Sequence, residues 1–315
     1  MSGHVRVLRP GLQTTVQDLG RWGYQASGVP VAGPMDTFSH RLANLLVGNP
    51  RDAATLEITL IGPELEFDVP STIAVCGAEF DVTADGQPLT TGTTVHVAGG
   101  TRVQFGRRRV GARAYLAVAG GIQTPIVLGS RATHVVSGMG GLDGRALVAG
   151  DRLPVAAQRE LAAPRRAPGL TLPAHGRARL RLLPGPQTDW FDAAALATLT
   201  RVSFRISPRS NRMGYRLEGP PLPQARRVEA ISEPLAFGAV QVPAAGEPIL
   251  LMADRQTAGG YPTVGSVISA DWPVAGQLAP GDFIEFAFCS PQEAAAALIA
   301  RERPLLRLTD GDTRP

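Results

Sequence analysis

Apolar and polar residues alternate with a period of two along most of the chain, in short stretches that end at glycine or proline. The stretch TLEITLIGPELEFDV alternates on both sides of Gly62-Pro63, and GDFIEFAF repeats the pattern late in the chain. Alternation places successive side chains on opposite faces of a β-strand, and Gly-Pro pairs turn the chain. The pattern predicts short strands joined by tight turns, with a hairpin at Asp85-Gly86 and a turn at Gly99-Gly100.

Three segments carry helix signals instead. MDTFSHRLANLLVGN offers Asp36 as an N-cap and Gly48 as a stop, and TDWFDAAALATL is the second segment. SPQEAAAALIARERP opens with a Ser290 to Glu293 capping box, and Pro304 is expected to end that helix. Many strands and few helices predict a mainly β (β-rich α+β) fold, in which barrels or sandwiches carry a few short helices.

The alternation stops between residues 157 and 177, where proline, alanine and arginine are frequent, as in a linker. On either side of it, RPGLQT at Arg9–Thr14 resembles LPGPQT at Leu183–Thr188, and three weaker glycine-containing matches follow in the same order. Two related domains and a short tail are predicted, with bounds 1–158, 172–303 and 304–315.

The basic residues narrow the possible chemistry. All 31 of them are arginine, so the chain has no lysine for a P-loop, a Schiff base or attached biotin. Any anion bound here must be held by arginine or by backbone N–H groups. The net charge is only +4, and the densest basic run, Arg107–Arg109, is predicted to be a solvated hairpin end. Because no aromatic residues interleave with it, a nucleic-acid partner is not expected.

Metal, disulfide and membrane signals are also missing from the sequence. Two cysteines are too few for a disulfide framework or a structural zinc site, and the five histidines have no metal-ligand spacing. No run approaches the roughly 18 apolar residues of a membrane span, and MSGHVRVLRPG lacks the apolar segment of a signal peptide. We therefore expect a cytoplasmic protein without a metal.

Three polar, glycine-containing stretches are candidate sites. The first, PGLQTTVQDLGRWGYQASGVPVAGPMD, supplies Gln13, Thr15, Asp18 and Arg21 ahead of the first helix. A long polar stretch of this kind is typical of a functional surface. It is equally typical of a structured loop whose side chains satisfy their own backbone.

The second stretch, SPRSNRMGYRLEGPPL, groups Arg209, Arg212 and Arg216 around Asn211. Guanidinium groups bind oxyanions such as carboxylate, phosphate or bicarbonate through two parallel hydrogen bonds. The alternative is that these arginines pair on the surface with Glu218, Glu229 or Glu233.

The third stretch, LMADRQTAGGYPTVGS, follows the strand-like EPILL. Its glycine pair permits positive φ and would leave successive N–H groups free to bind an oxyanion. The alternative is a hairpin turn with polar residues around it. Its candidate residues are Asp254, Arg255, Gln256, Thr257, Gly259, Gly260 and Tyr261.

Four long motifs, taken together, resemble one bacterial family. They are the first polar stretch, ANLLVGNPRDAATLEITLIGPELEF, SNRMGYRLEG and GAVQVPAAGEPILLMADRQTAGGYP. The family is that of the 5-oxoprolinase C subunit, which also carries the labels allophanate hydrolase subunit 2, biotin-dependent carboxyltransferase and antagonist of the kinase inhibitor of sporulation. The resemblance implies two cyclophilin-like β-barrel domains.

The resemblance also implies partners and a reaction. The C subunit would work with a kinase-inhibitor-like B subunit to activate the small amide 5-oxoproline using ATP, and an A subunit would complete its hydrolysis to glutamate. The chain would thus be a hydrolase subunit that acts only with its partners, and ATP would bind to the complex, with its site on a partner or between subunits. Arg212, Arg216, Asp254 and Arg255 are then the expected catalytic residues. Expected substrate-binding residues are Asn211, Gln256, Thr257, Gly259, Gly260, Tyr261, Gln13, Thr15, Asp18 and Arg21.

Two other functions are compatible with the same resemblance. One is a carboxyltransferase of the urea-carboxylase type, or allophanate hydrolase subunit 2, which would require biotin on a separate carrier. An amidase-type allophanate hydrolysis needs a catalytic lysine, which this chain lacks. The other is a regulatory protein that binds a histidine-kinase inhibitor and needs only a docking surface.

Overall fold

The computed structural model describes residues 3–156, 164–167, 172–225 and 231–310, with the backbone alone for residues 309 and 310. The chain divides into two compact units. The first contains residues 1–22, 32–172 and 303–315, and the second contains residues 23–31 and 173–302. The short segment 23–31 thus belongs with the second unit, although it precedes the first helix in the sequence.

The first unit is built on a nine-stranded sheet that forms a half-barrel, with strand order β2-β3-β8-β4-β1-β9 and with β5 paired to β6, β7 and β8. One helix packs on its outer face. The elements are β1 (Gly3–Arg9), β2 (Gln13–Gln17), α1 (Thr37–Leu46), β3 (Thr55–Thr59), β4 (Glu64–Phe67), β5 (Ser71–Ala84), β6 (Gln87–Pro88), β7 (Val95–Val97), β8 (Arg102–Val118) and β9 (Arg152–Val155).

The second unit is a closed seven-stranded barrel with the order β10-β17-β14-β15-β12-β11-β18, beside a two-stranded ribbon of β13 and β16. Its elements are β10 (Arg177–Pro184), α2 (Ala193–Arg201), β11 (Phe204–Ile206), β12 (Gly214–Glu218), β13 (Glu233–Pro234), β14 (Ala239–Gln241), β15 (Ile249–Leu251), β16 (Ala258–Gly259), β17 (Thr263–Val267), α3 (Trp272–Gly276), β18 (Phe283–Phe288) and the first part of α4 (Pro291–Asp310). The rest of α4, from residue 303 on, belongs to the first unit. The predicted mainly β fold with a few helices is confirmed.

The barrel closes through its first and last strands. β10 and β18 run parallel over six residue pairs, from Arg177 opposite Phe283 to Leu182 opposite Phe288. The inward-facing residues of the alternating strands, such as Leu180, Tyr215 and Phe286, are fully buried. The outward-facing residues are thereby left on the outer wall of the barrel, where the candidate site lies.

Local signals in the sequence place several element ends correctly. Asp36 caps α1 by accepting a hydrogen bond from the Ser39 backbone N–H at 2.9 Å. Ser290 and Glu293 form the expected capping box, with the Ser290 N–H donating to the Glu293 carboxylate at 2.7 Å and the Glu293 N–H to the Ser290 hydroxyl at 3.2 Å. The hairpin at Asp85 has positive φ at both turn residues, as a two-residue type I′ turn requires.

Two local predictions are wrong. Pro304 lies inside α4, which continues to Asp310. Leu305 is fully buried against the core formed by α1 and the outer face of β5 and β8, and this burial offsets the hydrogen bond that a proline removes from a helix. Arg107–Arg109 lie within β8 rather than at a hairpin end, although their side chains are exposed, as expected.

Helix α1 contains a buried histidine that should make stability sensitive to acid. His40 is fully buried, and its Nδ1 lies 2.9 Å from the Thr55 hydroxyl. Burial, reinforced by the neighbouring Arg41 cation, lowers the pKa of His40 from 6.5 to about 3. The folded protein therefore keeps the His40 ring neutral. In the unfolded chain the same ring takes up a proton once the pH falls below its ordinary pKa of 6.5.

We expect His40 to stabilise the fold fully above about pH 6.5 and progressively less as the pH falls towards 3. Between pH 7 and pH 5 the loss should be about 2 kcal/mol. Chemical unfolding of the wild type and of His40→Gln at both pH values measures this term, since the variant lacks it. An equal pH dependence in the two proteins would show that His40 does not carry the effect.

Candidate functional site

A pocket of about 190 Å³ lies in the second unit. Its floor is the outer wall of the barrel, where Arg216 on β12, Ile249 on β15 and Gln241 on β14 are direct neighbours in the strand register. Gly214 and Leu251 form the next pair along the same face. The pocket is lined by Arg209, Asn211, Met213, Gly214, Arg216, Gln241, Ile249, Leu251, Gln256 and Tyr261.

One wall of the pocket is the loop between β11 and β12. The loop is folded by its own hydrogen bonds: the Ser210 hydroxyl accepts from the Arg216 N–H at 3.0 Å, and the Asn211 side-chain oxygen accepts from the Met213 N–H at 2.8 Å. Such local bonds hold a loop in one conformation. They place the exposed Arg209 and Asn211 at the rim of the pocket.

The other wall is the segment that follows β15. Gln256 and Tyr261 are exposed and line the pocket, and the Tyr261 carbonyl accepts a hydrogen bond from the buried Gln241 side chain at 3.1 Å. A Cβ atom on Gly259 would lie 2.7 Å from Nε2 of Gln256 and 3.3 Å from Nε2 of Gln241. The missing side chain of Gly259 therefore leaves room for the two carboxamides.

The expected backbone cradle at the glycine pair is not formed. Neither Gly259 nor Gly260 has positive φ, and Gly259 instead belongs to β16, where it pairs with Glu233 of β13. Thr257 is half-buried, and its carbonyl accepts from the Leu235 N–H at 2.9 Å. Here the glycine is required by close packing rather than by an unusual backbone conformation.

Arg212 and Asp254 form a buried ion pair instead of lining the pocket. Nε of Arg212 lies 2.9 Å from one carboxylate oxygen of Asp254, and Nη2 lies 3.0 Å from the other. The two residues are 6% and 3% exposed, and the Asp254 N–H also donates to the Arg212 carbonyl at 2.9 Å. The pair joins the loop between β11 and β12 to the segment after β15, which are the two walls of the pocket.

The surface pairing considered for the arginines is largely not found. Within the described ranges Arg209 and Arg216 form no ion pair. Glu218 lies 3.9 Å from Arg205, and Glu233 accepts from Gln187 at 3.2 Å. Glu229 lies outside the described residues. Arg209 and Arg216 thus present two cations to a pocket that otherwise offers carboxamides, a tyrosine and apolar side chains.

The N-terminal candidates lie in the first unit, and most of their side chains are engaged there. Asp18 accepts hydrogen bonds from the Gly20 N–H at 2.9 Å and from the Ser130 hydroxyl and Arg131 N–H, both at 2.5 Å. Arg21 is buried and donates to the Ala132 carbonyl. These contacts attach the segment after β2 to the 130–132 segment, so they organise a loop.

Thr15 and Gln13 lie on β2, paired with β3. The Thr15 hydroxyl is buried and accepts from Nε2 of Gln17 at 3.0 Å, whereas Gln13 is half-buried. Neither is brought to the pocket in the barrel wall.

Sequence reasoning missed the apolar lining residues Met213, Ile249 and Leu251 and one polar lining residue, Gln241. It is polar and 2% exposed, at the end of the short strand within GAVQVP. The available signal in the sequence was a single polar residue in a short stretch otherwise made of apolar residues.

The described residues show neither a metal cluster nor a membrane helix. In the part of the chain that the structure describes, no three His, Cys, Asp or Glu side chains are grouped to hold a metal ion. No helix in the described ranges is both long and apolar enough to cross a membrane. Cys76 and Cys289 are free thiols.

Comparison with known proteins agrees with the motif resemblance. Residues 27–288 match the family model described as carboxyltransferase domain, subdomain A and B. The chain is 41% identical to the 5-oxoprolinase C subunit of Escherichia coli K12, over 95% of this chain and 96% of that protein. It is 36% identical to the 5-oxoprolinase C subunit of Haemophilus influenzae, over 90% of both.

Solved structures share the fold at similar identity. The crystal structure of the Kluyveromyces lactis urea amidolyase aligns with a TM-score of 0.91 and 33% identity, over 97% of this chain but only 20% of that protein. The crystal structure of TTHA0988 aligns with a TM-score of 0.82 and 37% identity, over 90% of this chain and 55% of the other.

The chain is thus homologous both to the 5-oxoprolinase C subunit of two bacteria and to about a fifth of a urea amidolyase. The relatives are named as enzymes or as subunits of enzymes. The resemblance inferred from the four motifs is confirmed, and the chain belongs to the family of the carboxyltransferase domain, subdomain A and B.

Proposed function

We propose that this chain is the C subunit of an ATP-dependent, 5-oxoprolinase-type amide-cleaving complex, in which it acts with a B subunit to activate a small amide substrate. The observation that carries the proposal is the end-to-end match with a separate chain of that name, at 41% identity over 95% and 96% of the two lengths. The match to urea amidolyases covers a similar share of this chain but only about a fifth of those proteins.

The pocket in the barrel wall supports a small amide as the ligand. Its volume of about 190 Å³ lies below the roughly 300–1,000 Å³ of pockets for drug-sized molecules. Gln241, Gln256 and Asn211 supply carboxamides, which can both donate to a lactam oxygen and accept from a lactam N–H. Arg209 and Arg216 supply cations for a carboxylate or for charge that develops at the reacting carbonyl.

We assign the pocket to the amide, because its carboxamides suit a lactam and its volume of about 190 Å³ suits a small ligand. ATP, as the second substrate of the complex, would then contact the B subunit or a surface between subunits. Its role would be to supply the phosphoryl group that activates the amide. This chain would bind and orient the amide and stabilise negative charge, with the buried Arg212–Asp254 pair holding the pocket walls.

Reconstitution of the complex tests the proposal. The chain, combined with its B and A partners, should hydrolyse ATP in response to 5-oxoproline and form glutamate, and each of the three proteins alone should be inactive. Urea and allophanate, assayed in parallel as substrates, should leave ATP hydrolysis at its basal rate. Coupled assays of ADP and glutamate measure both products.

Two outcomes would contradict the proposal. Urea-dependent turnover that avidin inhibits would identify a carboxyltransferase of the urea-carboxylase type, with biotin on a separate carrier, because this chain has no lysine to carry it. Binding to the B subunit without turnover on any of the three substrates, together with relief of a histidine-kinase inhibitor, would identify a regulatory protein.

A further inference from the structure

Arg255 lies just outside the pocket in a rigid, largely apolar setting. The residue is 8% exposed, and its Nε donates to the Leu235 carbonyl at 3.0 Å. Its guanidinium carbon lies 5.8 Å from the centre of the Phe237 ring. That ring packs against Trp272 with a centroid distance of 4.8 Å, and the Trp272 indole N–H donates to the Val267 carbonyl at 2.8 Å. The guanidinium is therefore fixed along one edge and against one aromatic face.

In the described part of the chain, the charge of Arg255 has no direct counter-charge. The adjacent carboxylate, Asp254, directs both oxygens to Arg212, at 2.9 and 3.0 Å. Within the residues that the structure describes, the Arg255 side chain forms no ion pair, and the bond from Nε is its one hydrogen bond, so both terminal nitrogens lack a partner. Burial lowers the pKa of Arg255 to about 10, which leaves it cationic at neutral pH.

A buried, charged guanidinium without an anion is costly. Desolvation of a cation is offset in proteins by a paired carboxylate, a bound anion or several hydrogen bonds. The contact with Phe237 and one hydrogen bond to a carbonyl offset only part of that cost. The two free terminal nitrogens form a fork of the kind that binds planar or tetrahedral oxyanions.

We propose that Arg255 is the anchor of an oxyanion subsite in the second unit, which takes a phosphate- or carboxylate-type group on the two terminal nitrogens. The subsite adjoins the pocket, because the next residue, Gln256, lines it, whereas Arg255 itself does not. The proposal is independent of the assignment to a 5-oxoprolinase, since it requires only that a small anion reach the exposed edge of the guanidinium.

Anion-dependent thermal stability of the full chain tests the subsite. Inorganic phosphate and acetate are titrated separately against sodium chloride of matched ionic strength at pH 7.5. At about tenfold above its Kd, the bound anion should raise Tm by about 2–4 °C and the effect should saturate. Arg255→Gln should abolish the saturable shift. Arg179→Gln, which alters an exposed arginine of the same barrel on β10, should retain it.

The two anions distinguish the kinds of ligand. Saturable stabilisation by phosphate assigns a phosphoryl-type subsite, and stabilisation by acetate assigns a carboxylate-type subsite. Arg255→Lys provides a second variant that keeps the charge but loses the fork, and its apparent Kd should rise at least about tenfold. The proposal is overturned if neither anion produces a saturable shift in the wild type, or if Arg255→Lys binds as tightly as the wild type.

Discussion

Replacement of Arg216 by glutamine is expected to lower turnover of the reconstituted complex by about 10²–10³-fold. Arg216 is exposed on the outer wall of the barrel, lines the pocket and forms no ion pair within the described residues. Its removal therefore leaves no buried charge unpaired, and the fold should be unaffected. The expected loss corresponds to one preorganised charge that no longer stabilises negative charge in the transition state.

Steady-state kinetics with 5-oxoproline measure kcat and KM for this variant, alongside its Tm and its binding to the B subunit. Arg179→Gln is the matched control, because it changes another exposed arginine of the barrel, on β10, that does not line the pocket. If Arg216→Gln turns over within about twofold of the wild type, the proposed site in the barrel wall is wrong, even if the complex is a 5-oxoprolinase.

Replacement of Arg212 by methionine is expected to destabilise the protein by about 3–5 kcal/mol. The change would leave the Asp254 carboxylate, 3% exposed, without the two charge-assisted hydrogen bonds it now accepts. Methionine roughly preserves the volume of the arginine stem. Loss of the ion pair, rather than loss of packing, should therefore account for most of the decrease in the free energy of unfolding. Denaturant unfolding of the full chain measures the difference.

The double variant Arg212→Met with Asp254→Leu separates pairing from packing. It should recover most of the lost stability, because replacing both members of a buried ion pair with apolar residues is often neutral. A single variant within about 1 kcal/mol of the wild type would show that the pair does not hold the pocket walls. A fully stable Arg212→Met with no turnover would support the catalytic role that the sequence suggested for Arg212.

Structural features that depend only on residues close together in the sequence were predictable. The N-cap at Asp36, the capping box at Ser290 and the hairpin at Asp85 are each determined within a few residues. The mainly β fold followed from alternation, which is also a local property. Pro304 was misjudged because its helix is stabilised by the burial of Leu305 in a distant core, which no local rule contains.

The candidate site was predictable only in part. Polar loop residues identified Asn211, Arg216, Gln256 and Tyr261, which the structure brings to one pocket. Arg212 and Asp254, which were expected among the site residues, pair with each other and do not line the pocket. The two residues are 42 positions apart in the sequence, and the register of β12 and β15 brings them together. The sequence also could not show whether Gly259 serves a turn or close packing.

The parallel pairing of β10 with β18 constrains when the second unit can fold during synthesis. β18 lies between β10 and β11 in the closed barrel, so it supplies hydrogen bonds to both. During synthesis on the ribosome the barrel cannot close until Phe283–Phe288 have left the exit tunnel. Until then β10 and β11 have unpaired edges, which are prone to pair with other chains. A nascent chain stalled before Phe283 should therefore need a chaperone to stay out of aggregates.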